Sequence, residues 1–251
     1  DVRSSTCAVE FQDGFISLRK NAPVISYGAE ADYICATARR DVDSPPSDQV
    51  LVICPASDTV LEQIGTWDVL GFRGTCSPGY LLTTRTHASH VVPVDYATIS
   101  SVTMLPSSHT LWASVWLGIA DAALAKARAV TRAAARKSNG GVIPQSAKLA
   151  DLFQVHQTFE SLVSSGIQRY EQILQSGTSD PGVSFAIAMN NLKLAASTAV
   201  LDVVVGALRL IGIDGYREDH PSSLGRLLRD AFAPQLMVSN DRIRASNAQL
   251  I

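Results

Sequence analysis

The chain is predicted to be α+β: a small β-barrel-like domain followed by an antiparallel helical bundle, with the border near residue 100 (domains 1–100 and 101–251). Two observations carry this. Up to about Val94, short runs rich in Val, Ile, Tyr and Thr are punctuated by Gly, Pro, Asn and Asp, which is strand-and-turn patterning. Beyond Pro106 come long stretches with helical spacing, the first of them, over 111–137, rich in Ala, Leu, Val and Arg with almost no Gly. With 251 residues, the chain is long enough to bury a sizeable core.

The elements follow in order. Ala8-Val9-Glu10-Phe11 and Phe15-Ile16-Ser17-Leu18 flank Gln12-Asp13-Gly14, and Asp-Gly between two such runs predicts a hairpin. Further strands are expected at residues 24–27 after Pro23, at 33–38 and at 50–54, the last two separated by a polar, Pro-containing loop. Between residues 66 and 82, turns at Gly71, Gly74 and Pro78-Gly79 should separate short strands. Helical spacing predicts a first long helix over 111–137, ended by Ser138-Asn139-Gly140-Gly141, and a second over 146–175. A third, over 191–210, is apolar at nearly every position and should be buried on several sides. The turn Ile211-Gly212-Ile213-Asp214-Gly215-Tyr216 follows, and helical spacing resumes over 224–231, so a four-helix-type bundle is expected.

Composition narrows the function. A net charge of -2 without a Lys/Arg-rich arm argues against nucleic acid as a partner. The apolar run over 195–210 is broken by Asp202 and Arg209, which suits a bundle core better than a membrane span. Cys7, Cys35, Cys54 and Cys76 are widely spaced with no Cys-x-x-Cys, so reduced thiols in a cytoplasmic protein are expected. Thr86-His87-Ala88-Ser89-His90 offers two histidines but no third ligand at a familiar spacing, so no metal is expected there. A Gly-x-Ser-x-Gly hydrolase elbow is also missing.

Two patterns could meet a ligand. Gly212-Ile213-Asp214-Gly215 has neither the Lys-Ser/Thr of a P-loop nor the strand context of a dinucleotide fingerprint; on its own it reads as a helix C-cap and turn. Arg128, Arg132, Arg136 and Lys137 repeat at helical spacing. They read either as a solvated face that complements the helix dipole or as a cluster that meets phosphates.

Together these segments resemble the acyl-CoA dehydrogenase family of flavoproteins. Thr66-Trp67-Asp68-Val69-Leu70-Gly71-Phe72-Arg73-Gly74-Thr75-Cys76-Ser77 is similar to that family's Trp-x-x-x-Gly-x-Arg-Gly-Thr-x-Ser signature. The segment from Arg19-Lys20 to Asp32, with Ser26 and Gly28, resembles the one in which Trp-Ile-Thr-Asn-Gly covers the flavin. Ile211-Gly212-Ile213-Asp214-Gly215-Tyr216, followed by Arg229-Asp230, resembles the family's Phe-Gly-Gly-Asn-Gly-Tyr and later Arg-Asp.

The resemblance implies FAD held across a subunit interface. Val24 and Ser26 would lie beside the isoalloxazine, Ser26 as the hydrogen-bonding hydroxyl and Val24 in place of an aromatic cover. The turn from Arg209 through Gly212 and Ile213 to Gly215 would meet the ADP part of a neighbouring subunit's FAD, with Arg209 replacing the usual Gln and Ile213 a Gly. Arg132 and Arg136 bracket the place of the diphosphate-binding Arg. The opening Asp1-Val2 matches the end of the family's Gly-Ser-Asp-Val flavin loop, which implies a chain without the family's N-terminal helical domain. A homo-oligomer (dimer or tetramer), or a heteromer with a chain carrying that domain, is the expected assembly.

The family removes a proton α to the carbonyl of an acyl thioester, carried by CoA or a carrier protein, with a Glu carboxylate. Here the usual Glu position holds Val238, and the alternative one falls near Ser108. Asp241 is the nearby carboxylate that could substitute. The expected function is therefore FAD-dependent oxidation of an acyl thioester. The alternatives are a flavin-dependent monooxygenase, which needs no such base, and a non-catalytic subunit that completes a partner's flavin site.

Overall fold

The computed structural model describes residues 5–138 and 144–251 and divides into two compact units. Asp1-Val2 and the helix stop at Asn139-Gly140-Gly141 lie outside the described residues. One unit takes the chain up to Val69 and from Arg73 to Ser100; the other takes Leu70–Phe72 and Ser101–Ile251. The fold is α+β, small antiparallel sheets and a helical bundle.

The β-unit contains β1 (Glu10–Gln12), β2 (Phe15–Ala22), β3 (Tyr33–Arg39), β4 (Gln49–Pro55), β5 (Thr59–Gln63) and β6 (Tyr80–His87). β1, β2, β6 and β5 form a four-stranded antiparallel sheet in that order, and β3 pairs with β4 in a second sheet. Asp13 and Gly14, at φ 50° and 79°, make the tight β1–β2 turn that Asp-Gly predicts. Strand alternation then sends Ile16, Leu18 and Leu82 of one sheet and Ile34, Ala36, Ala38, Val50, Val52 and Cys54 of the other into one core. Burial pushes the Cys54 thiol up to about 12, so this cysteine packs as a small apolar group. Single bridges between Ala8 and Arg39 and between Val52 and Val91 stitch the margins.

Two strand expectations are corrected. Residues 24–27 form no strand but lead into a turn that begins at Ser26: Pro23 has no N–H for a ladder, and Tyr27 sits at φ 52° with its amide bonded to the Thr75 and Cys76 carbonyls. Residues 66–78 hold no strand; their ordered part is a 3-10 turn over Arg73–Thr75.

Helical backbone begins earlier than expected. α1 (Tyr96–Ile99) runs through a π-helical turn at Ser100–Met104 into α2 (Leu105–Lys137). Pro106 causes that turn: its ring crowds the preceding carbonyls and it supplies no N–H, so the ladder widens ahead of it without breaking. α3 (Pro144–Ser176), α4 (Gly182–Ile211), α5 (Ile213–Tyr216), α6 (Gly225–Leu236) and α7 (Asn240–Leu250) complete the chain.

The bundle packs through small residues. Ala113, Trp116, Ala120, Ala123 and Ala127 form one stripe of α2, and Ala196, Val200, Val203, Val204 and Ala207 the facing part of α4. The ring of His109 meets the Met189 carbonyl at 3.0 Å, near the beginning of both helices, so α2 and α4 run parallel. By length and composition α4 would reach across a bilayer, but here it is the central helix, packed by α2, α3, α6 and α7.

Candidate functional site

In the β-unit the two flavin-associated segments meet. Ile25 N–H donates to the Pro78 carbonyl at 3.2 Å, and Tyr27 OH to the Gly74 carbonyl at 2.7 Å. Ser26 Oγ lies 2.9 Å from the buried Ser77 Oγ, and Ser77 donates to the Thr75 carbonyl at 3.0 Å. Ser77 also reaches Thr75 Oγ1 at 2.9 Å, and the exposed Ser26 hydroxyl can serve as donor or acceptor. Val24 stands exposed beside it. Val24 and Ser26 therefore share one surface with the Arg73–Thr75 turn, an apolar side chain beside a hydroxyl.

The other half of the same signature belongs to the helical unit. Phe72 N–H donates to Asp230 Oδ1 at 2.6 Å, across 158 positions of sequence. Gly71 lies against the backbone of α6: a Cβ there would stand 2.5 Å from the Arg229 carbonyl carbon and 2.8 Å from the Asp230 nitrogen, and would strike the Arg229 oxygen. The Gly71 and Arg229-Asp230 motifs are thus two sides of one contact. Because backbone atoms cannot step aside, Gly71→Ala should cost about 2 kcal/mol. Denaturant unfolding checks this; unchanged stability would contradict it.

At the end of α4, Gly212 is the predicted C-cap, at φ 76° and ψ -141°, with its N–H on the Leu208 carbonyl at 2.8 Å. Gly215 is buried, and a Cβ there would press on Ile211 and Leu208 at 3.0–3.2 Å. Leu224 N–H returns to the Gly215 carbonyl at 2.8 Å, and Lys126 Nζ of α2 holds the Ser223 carbonyl at 2.6 Å. Arg209, Ile213 and Tyr216 face solvent. Ile213 is tolerated where the family has Gly because it opens the short α5 with helical backbone.

Because α2 and α4 run parallel, Arg132 and Arg136 lie at the same end of the bundle as this turn. Both are exposed, and neither pairs with a carboxylate among the described residues. Arg128 instead lies over the Phe153 ring at 5.2 Å. Two unpaired guanidiniums beside an open turn fit a diphosphate, and the Val24–Ser26 surface fits the face and edge of a flavin ring. On this chemistry FAD fits the residues present. No group of three His, Cys, Asp or Glu side chains among the described residues is placed to hold a metal.

The position that the resemblance assigns to the base lies in the turn between α6 and α7. Val238 has φ 48°, a conformation a β-branched side chain adopts at a cost of about 1–3 kcal/mol. It carries no carboxylate. Asp241 opens α7 with its side chain 93% exposed and paired to Arg244 at 3.0 Å, so it lacks the dry surroundings that tune a carboxylate for proton abstraction. The Ser108 hydroxyl is turned back onto the Met104 carbonyl at 2.7 Å.

Lys193 was not anticipated. It is fully buried, and its Nζ donates to the Met237 carbonyl at 2.6 Å and to Asn240 Oδ1 at 2.7 Å, on either side of Val238. The available signal is a lysine near the beginning of a largely apolar helix.

A β-unit of antiparallel sheets followed by this bundle is the acyl-CoA dehydrogenase-like fold. Solved structures of flavin enzymes share it along nearly the whole chain. FMN-bound TdsC from Paenibacillus sp. A11-2, a dibenzothiophene monooxygenase, is similar with a TM-score of 0.79 at 17% identity, covering 97% of this chain and 65% of that one. Nitroalkane oxidase is similar with a TM-score of 0.75 at 16% identity, covering 98% and 62%. Butyryl-CoA dehydrogenase from Megasphaera elsdenii is similar with a TM-score of 0.74 at 20% identity, covering 99% and 63%. The chain thus spans just under two thirds of the length of these structures. No known protein-family model and no curated protein matches the sequence.

Proposed function

We propose that this protein is an FAD-dependent oxidoreductase that works without a carboxylate proton base, and that its reaction is a monooxygenation. One observation carries the reading. The turn that would present the base presents Val238, and the nearest carboxylate in sequence, Asp241, points to solvent on Arg244. When bound, FAD accepts hydride and in reduced form reacts with oxygen. This chain's part is then to bind and orient: Ser26 and Val24 at the ring, Arg132 and Arg136 at the diphosphate, and Arg209, Gly212, Ile213 and Gly215 at the adenosine end. The exposed Ile213 and Tyr216 support contact there with another subunit.

A second reading, oxidation of an acyl thioester on CoA or a carrier protein, is supported by the likeness to butyryl-CoA dehydrogenase. It requires Asp241 to leave Arg244 and serve as base.

The test loads the protein with FAD, reduces it, and admits ¹⁸O₂ with an aromatic heterocycle such as dibenzothiophene or indole. One labelled oxygen in the product and the other in water is the expected result. FAD that binds but yields no labelled product from these probes, together with thioester-driven bleaching of the flavin, overturns the monooxygenase reading. Failure to bind either FAD or FMN overturns both enzyme readings and supports a non-catalytic subunit.

A further inference from the structure

Among the described residues no other Lys, Arg, Asp or Glu is buried as completely as Lys193. The ammonium has no carboxylate partner among those residues; both of its acceptors, the Met237 carbonyl and Asn240 Oδ1, are neutral. Asn240 is fixed in turn, its Nδ2 donating to Ser197 Oγ at 3.0 Å, while Ser197 donates to the Leu194 carbonyl at 2.8 Å. Lys193 and Ser197 lie one turn apart on α4, so a single face of that helix grips the chain just before and just after Val238-Ser239. Those two residues have φ of 48° and 17°, values the chain would leave if it were not held.

We propose that Lys193 is a positioning residue: by holding the Met237 carbonyl and Asn240 together it keeps Val238 in its left-handed backbone and fixes the turn between α6 and α7. Its importance for catalysis rests on the reading given under Proposed function; its hold on the backbone does not. A buried cation without a counter-charge costs stability that Met or Leu in this apolar helix would recover. The tension shows in the group itself, since burial, aided by Arg244, pushes its pKa down to about 8. What the ammonium adds is two charge-assisted hydrogen bonds aimed at one strained turn.

Lys193→Met keeps the stem and removes both bonds. Amide hydrogen exchange at residues 238 and 239 should then accelerate about ten- to hundred-fold, while amides in the middle of α2 and α3 stay as protected as before. Lys193→Arg, which can donate to the same two acceptors, should recover most of the protection. Should the methionine variant not fold, Asn240→Ala removes one of the two bonds and is expected to accelerate exchange about ten-fold at the same amides. Unchanged exchange at 238 and 239 in whichever variant folds overturns the proposal. So does acceleration spread evenly over the bundle, which marks ordinary loss of stability. In the FAD-loaded protein Lys193→Met should lower kcat with KM little changed. If the wild type has no flavin-dependent activity while exchange still responds at 238 and 239, the functional reading fails and the positioning role stands.

Discussion

Val238→Glu should place a proton-abstracting carboxylate where the resemblance puts the base. The backbone at 238 is already held by Lys193 through the Met237 carbonyl and Asn240, so a new side chain there inherits a fixed origin. Glutamate is not β-branched and bears φ 48° with less strain than valine. Offered an acyl thioester deuterated at the α-carbon, the variant should release deuterium to water about 100-fold faster than the wild type, the lower end of what a positioned base contributes. Asp241→Asn should leave the wild-type background rate unchanged, because that carboxylate is committed to Arg244 at the surface. A folded, FAD-loaded Val238→Glu with no gain in exchange would refute the assignment of this turn as the base position.

The second large effect is on stability in acid. His109 is buried between α2 and α4, its Nδ1–H donating to the Met189 carbonyl at 3.0 Å and its ring 6.1 Å from that of Trp112. Desolvation is the main cause that pushes its pKa from 6.5 down to about 4. Between those values the unfolded chain takes up a proton that the folded chain refuses. Lowering pH through that window therefore favours unfolding, by about 1.4 kcal/mol per unit and about 3 kcal/mol in all. His109→Gln keeps a donor for the carbonyl but does not titrate, so its stability should fall less between pH 6.5 and 4 by that amount. Parallel stability curves for variant and wild type over that range would contradict the assignment.

The sequence disclosed what depends on neighbours in the chain. Asp13-Gly14 specified its hairpin because two left-handed residues suffice to turn the strand, and Gly212 specified its cap for the same reason. The fold class followed from a change of hydrophobic period, which local composition records. What stayed hidden depends on partners far away. Residues 24–27 look like a strand until Tyr27 is seen tied to the Thr75 and Cys76 carbonyls. The pairing of Phe72 with Asp230 crosses 158 positions, so only the resemblance brought both motifs into view, and neither spacing nor periodicity could join them. Pro106 reads as a boundary in the sequence, whereas a π-helical turn at Ser100–Met104 carries the helix past it. Lys193 was read as one residue of an apolar helix; its importance comes from the Met237–Asn240 turn folding onto it.

We infer that the protein works as a flavin enzyme without a carboxylate base. Anaerobic mixing of the FAD-loaded wild-type protein with acyl-CoA thioesters of short, medium and long chain tests it most directly. The account predicts that the flavin absorbance stays unbleached with every thioester, while a chemical reductant bleaches it fully. Rapid bleaching by any one of the thioesters would contradict the account.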